Sequence, residues 1–133
     1  MLFRSAERIG GQPELARRAD ANAKVLFDWI ERTPWIANLA VDPATWSNTS
    51  VCLKIVDPAI AALDKDGQAK FAKDMVALLE KEGVAYDCGA YRDAPPGLRI
   101  WCGSTVETSD VAALVPWLEW AFAELKSKVA KAA

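Results

Sequence analysis

The last quarter of the chain limits the fold most. Val111, Leu114, Val115, Leu118, Phe122, Leu125 and Val129 recur at helical spacing and draw one long apolar stripe. A helix striped in this way has to lay that face on a core. Two further stripes have the same period: Leu15, Ala19, Ala23, Leu26, Phe27 and Ile30 in a helix from about residue 13 to 32, and Phe71, Met75, Leu78 and Leu79 in a helix from about 67 to 82. Pro34 ends the first of these, and Gly83 suits a left-handed cap on the second, with Asp66 as its N-cap. Between them VCLKIV, residues 51–56, is a β-branched run that reads as a central strand.

The remaining segments are shorter. Ile36, Leu39 and Val41 suit a short strand, and residues 58–63 one helical turn. Residues 84–88 and 98–102 read as two strands that pair antiparallel across a turn. Residues 1–6 have no periodic pattern, and Gly10-Gly11 reads as a loop leading into the first helix. Thr108 or Ser109 suits the N-cap of the last helix, in which Pro116 predicts a kink or a tight first segment. The order helix, strand, helix, strand, strand, helix specifies an α+β two-layer sandwich: a small, mostly antiparallel sheet with helices on one face.

Composition excludes several kinds of chemistry. The chain has 133 residues and no histidine, which removes Ser-His-Asp and Cys-His catalysis, histidine metal sites and imidazole bases together. A formal net charge of −2 gives no electrostatic case for nucleic acid. No apolar run approaches the roughly 20 residues that cross a bilayer, and the first eight residues lack a secretory apolar stretch, so a cytoplasmic protein without membrane contact is expected. Cys52, Cys88 and Cys102 lack CxxC spacing and read as reduced, buried small hydrophobes. Lys54 reads as a strand-end lysine reaching solvent, not as a catalytic amine. Six tryptophans exceed what a small core covers easily, so some are expected to face a partner.

The most unusual stretch is GAYRDAPPGLRIWCG, residues 89–103, where Arg92 and Arg99 flank a rigid Pro-Pro-Gly turn. Strand parity puts Leu98, Ile100 and Cys102 on the core face and Arg99 and Trp101 on the other. An arginine fixed there can offer its planar fork to a carboxylate or phosphate. Equally, Arg92 and Arg99 are ordinary surface charges paired with Asp87 or Asp93.

Taken together, ADANAKVLFDWIERTPWIANLAVDPATWSNTSVCLKIVD and GLRIWCGSTVETSDVAALVPWLEWAFAEL resemble the carboxy-terminal small domain of the phosphoserine aminotransferase family, in its alphaproteobacterial form, from about Ile9 to Leu125. The resemblance implies residues 9–133 as that small domain and residues 1–8 as an extension or truncation scar outside it. It implies a pyridoxal phosphate enzyme of fold type I that moves an amino group between glutamate and 3-phosphohydroxypyruvate. The Schiff-base lysine belongs to a large domain absent from this chain, so this part is expected to be inactive alone and to bind no cofactor alone. Its expected partners are that domain and a second copy in a homodimer, with Trp117, Trp120 and Trp46 as packing surfaces. Gly97-Leu98-Arg99 is similar to the family motif whose arginine takes the substrate α-carboxylate. Tyr91-Arg92 stands where the family has a His-Arg pair near the distal anion, which implies Arg92 as a second substrate ligand. Two readings stand beside this one: a free-standing module binding a small anionic metabolite, and a structural or dimerising domain.

Overall fold

A computed structural model describes residues 2–132. The helices are α1 (Leu2–Arg8), α2 (Gly11–Arg32), α3 (Pro58–Ala61), α4 (Lys65–Lys81) and α5 (Thr108–Ala132); the strands are β1 (Ile36–Asn38), β2 (Ser50–Ile55) and β3 (Leu98–Trp101). The strands form one antiparallel sheet in the order β1-β2-β3, with Ile36 opposite Ile55 and Cys52 opposite Arg99. Val51 and Leu53 of β2 and Leu98 and Ile100 of β3 point into the core, where they meet Leu26 and Trp29 of α2, Met75 and Leu79 of α4, and Leu118 of α5. The α+β sandwich and the central place of β2 are as the sequence implies.

Aromatic rings join the helical layer to the sheet. Trp35, just before β1, stacks flat on Phe122 of α5 at 3.9 Å and meets Trp29 of α2 edge-on at 5.5 Å; Phe71 of α4 reaches Phe122 from another side. The Trp29 indole also donates to Glu119 Oε1 at 3.0 Å, so α2 and α5 share a hydrogen bond as well as a packed face.

Several local expectations are corrected. Residues 2–8 form α1, and the chain then turns through Gly10 and Gly11, both with positive φ, so α2 starts at Gly11, ahead of Pro13. Asp64, not Asp66, caps α4: its carboxylate accepts the Gly67 N–H at 2.7 Å, which places Asp66 inside the first turn. Residues 84–88 are not a strand. Gly83 at φ +68 closes α4 as expected, but the Val84 N–H is used by Leu79 O and the Gly83 N–H by Glu80 O, the paired bonds of a Schellman turn. Asp87 then takes φ +57, which an extended strand cannot contain. β3 pairs with β2 instead, and residues 84–89 contribute only the Gly89 to Leu98 bridge and a bond from Arg99 N–H to Cys88 O. At the far end, α5 begins at Thr108, so Thr108 and Ser109 lie within it and neither is its N-cap; the Thr108 hydroxyl donates instead to Asn22 Oδ1 at 2.6 Å, and the helix continues through Pro116.

Asp57 and Lys126 tie the loop after β2 to α5. Asp57 caps α3 through Ala59 N–H and pairs with Lys126 Nζ at 2.5 Å while itself buried. Burial alone would raise this carboxyl, but the bonds from Lys126 and from the backbone outweigh it, and its pKa falls below the ordinary 3.8. A group depressed in the folded state stabilises fully above its unfolded pKa and loses that contribution as pH falls through the folded value. The fold should therefore lose stability below about pH 4, and Asp57→Asn should reduce the slope of stability against pH in that window, read by circular dichroism at fixed urea.

Candidate functional site: an arginine on the outer face of the sheet

The helices cover one face of the sheet. On the other, β2 presents Ser50, Cys52 and Lys54, and β3 presents Arg99 and Trp101. Parity therefore places Arg99 as the sequence implies. What positions it so closely is Gly97, one residue before β3. A Cβ at Gly97 would lie inside the van der Waals contact of the Leu53 carbonyl oxygen, so the turn rests directly on the β2 backbone. The other end of β3 is pinned from below. Asn22 of α2, fully buried, donates from Nδ2 to the carbonyls of Cys102 at 3.1 Å, Gly103 at 3.2 Å and Val106 at 2.9 Å. Both ends of a four-residue strand are thus fixed, and with them the root of the Arg99 side chain.

The Arg99 side chain is only 14% exposed. Its Nη2 donates to Asp87 Oδ2 at 3.0 Å, its Nη1 reaches the Tyr91 hydroxyl at 3.4 Å, and its Nε reaches Gly89 O at 3.5 Å. The Tyr91 ring lies across the guanidinium, 4.4 Å from Cζ, in cation–π geometry. Arg99 therefore stands on the outer face of the sheet and is paired with Asp87, as the second sequence reading has it. Nearby Cys88 is buried, and burial first, then the Asp87 charge, pushes its thiol up; burial also takes Cys102 up to about 11. Both are inert free thiols, as expected; Cys52 is also free but only half-buried.

Arg92 is exposed and lies elsewhere. With Tyr91, Pro95 and Pro96 it lines a cleft of about 600 Å³ between the 89–97 loop and the α4 residues Lys65, Asp66, Lys73 and Val76. Arg99 does not line this cleft, and among the described residues Arg92 makes no ion pair, with Asp93 or any other carboxylate. Tyr91 belongs to both places. The two arginines do not form one shared fork; they stand at a tyrosine common to both.

Among the tryptophans, Trp29 is fully buried, Trp35 stacks on Phe122, and Trp46 packs on Phe27 at 5.0 Å and donates to Ala40 O. Trp46 is thereby used within the chain. The exposed indoles are Trp101 at 54%, beside Arg99 on the bare face, and Trp117 at 39%, edge-on to Trp120 on α5. Asp87 pairs with Arg99 as one sequence reading has it, and Trp101 stands on the outer face as parity implies. Asn22 is the feature sequence reasoning missed, and nothing local announces it.

The fold is thus a three-stranded antiparallel sheet under one helical layer. The solved phosphoserine aminotransferase of Bacillus circulans subsp. alkalophilus shares it with a TM-score of 0.72 at 19% identity, over 91% of this chain and 30% of that one. No family model matches the chain. Sequence comparison goes further: over 117 residues the chain is 41% identical to the phosphoserine aminotransferase of Methanosarcina mazei and 43% identical to that of Methanosarcina barkeri, covering 88% of this chain. The chain is therefore a relative of the phosphoserine aminotransferases, and it spans 29% of the length of the curated relatives it matches.

Proposed function

We propose that this chain serves as the small domain of a phosphoserine aminotransferase, residues 9–133 forming that domain and residues 1–8 an extension that contacts α2 as α1. The observation that carries the reading is Arg99: a nearly covered guanidinium, fixed at both ends of its strand, in a chain related to these enzymes. Arg99 takes the α-carboxylate common to glutamate and the phosphorylated substrate as a paired fork contact. Arg92, exposed on the cleft beside Tyr91, takes the distal anion. The free-standing binding module and the purely structural domain are not favoured, because the likeness to these enzymes runs through 88% of the chain.

The complete enzyme uses pyridoxal phosphate, which supplies the electron sink for amino-group transfer when bound. The residues present here do not fit a cofactor cup. Lys24, Lys70 and Lys126 are engaged in ion pairs, and Lys65 and Lys73 rim an open cleft. The cofactor and its lysine therefore belong to the remainder of the enzyme, which also covers the bare sheet face, and a homodimer partner packs nearby. Among the described residues no helix is long and apolar enough to cross a membrane; the enzyme works in the cytoplasm.

A chimaera in which this chain replaces the matching portion of the Methanosarcina mazei enzyme tests the reading. It should transaminate between glutamate and 3-phosphohydroxypyruvate, and Arg99→Ala should raise the KM for glutamate about 100-fold, the loss of a charge-assisted pair of hydrogen bonds. An active chimaera whose KM is unmoved by Arg99→Ala would remove Arg99 from the site. The chain alone should show neither a cofactor absorbance change with pyridoxal phosphate nor turnover.

A further inference from the structure

The Arg99 fork is already occupied. Asp87 supplies one clean bond at 3.0 Å, and the two other polar contacts, at 3.4 and 3.5 Å, are at the limit of hydrogen bonding. The partners are unequal in burial: the Arg99 side chain is 14% exposed, the Asp87 side chain 86%. A guanidinium that is mostly covered is costly to leave without a counter-charge, whereas an exposed carboxylate returns to water easily. The backbone matches this asymmetry. Asp87 is the one non-glycine residue with positive φ among the described residues, while its neighbours are anchored: Cys88 is buried and bonded to Arg99 N–H, and Gly89 bridges Leu98.

We propose that Asp87 is a resident competitor for the Arg99 fork, its carboxylate holding the place that an incoming substrate carboxylate takes. This rests on the reading of Arg99 as the carboxylate ligand, and adds what that ligand must displace. Exchange of one carboxylate for another never leaves Arg99 uncompensated. A ligand able to bond Nη1 and Nη2 together displaces the single Asp87 contact, and a weaker one-point anion needs a higher concentration to do so. Tyr91, whose ring lies 4.4 Å from the Arg99 Cζ, stays as the platform across the exchange. Asp87 thus sets a threshold concentration that every anion must exceed, which a ligand bonding both nitrogens reaches first.

The test titrates the 133-residue chain with L-glutamate and, separately, chloride, following the Arg99 Nε–H resonance by NMR in wild type, Asp87→Asn and Asp87→Gly. Both Asp87 variants tolerate its positive φ, so folding is preserved. Removing the competitor should tighten glutamate binding about two- to fivefold, the value of an exposed ion pair, and should tighten chloride binding by the same factor, since both must displace the same carboxylate. Equal glutamate affinity in wild type and both Asp87 variants overturns the competitor while leaving the carboxylate reading intact. No glutamate-dependent shift of Arg99 in any variant overturns the carboxylate reading, and the competitor with it. Weaker glutamate binding in Asp87→Asn would show Asp87 to be a co-ligand and also overturns the proposal.

Discussion

Replacing Gly97 by alanine is expected to cost about 3 kcal/mol or more of folding stability, the upper part of the range for overpacking. The reason is steric. The added methyl would overlap the Leu53 carbonyl oxygen, which is backbone of the central strand and cannot swing aside as a side chain can. Either the β2 to β3 pairing opens near Leu53 and Leu98, or the turn before β3 lifts off. Both relaxations displace the residue two positions on, so Gly97→Ala should also weaken any ligand contact of Arg99. Urea unfolding followed by far-ultraviolet circular dichroism checks the stability. An unchanged midpoint would show that the turn does not rest on β2.

Trp29→Ala is expected to cost about 4 kcal/mol, the usual penalty for emptying a large aromatic site in a core. Trp29 is fully buried at the junction of α2, α5 and the chain entering β1. Its loss removes the edge contact to Trp35, leaves Glu119 without the indole donor, and opens a void that the flat Trp35–Phe122 stack cannot fill without separating. The same urea titration applies, and thermal unfolding should drop in parallel. Trp29→Phe should recover most of the packing and not the bond to Glu119, which separates the two contributions.

The long elements were legible because their signal is periodic. The stripes through Leu26, Met75 and Leu118 each mark a helix face that is buried, and the alternation through Leu98 and Ile100 correctly turned Arg99 and Trp101 outward. The illegible parts depend on backbone torsion or on distant partners. Residues 84–88 have the composition of a strand, yet the Schellman turn consumes Val84 and the positive φ at Asp87 bends the chain away. That bend is what brings Asp87 to Arg99, twelve residues later, and no local pattern encodes it. Asn22 is a similar case. In sequence it is one polar residue on a helix, and its four hydrogen bonds are to residues 80 to 86 positions away. Of the two arginines grouped by sequence proximity, only Arg99 is held within the fold, since Arg92 is exposed and lines a separate cleft.

The bonds that join α2 to α5 bear on how the chain is made as well as how it holds. Trp29 waits for Glu119, 90 residues later, and Asn22 for Thr108, 86 residues later. During synthesis α2 leaves the ribosome before α5, with its apolar face unmatched, and the core cannot close until α5 follows. Contacts of such separation slow folding and leave early helices exposed to chaperones and proteases. A stalled or shortened product ending before α5 would thus present the α2 stripe to the cell's quality control, and only the late helix withdraws it.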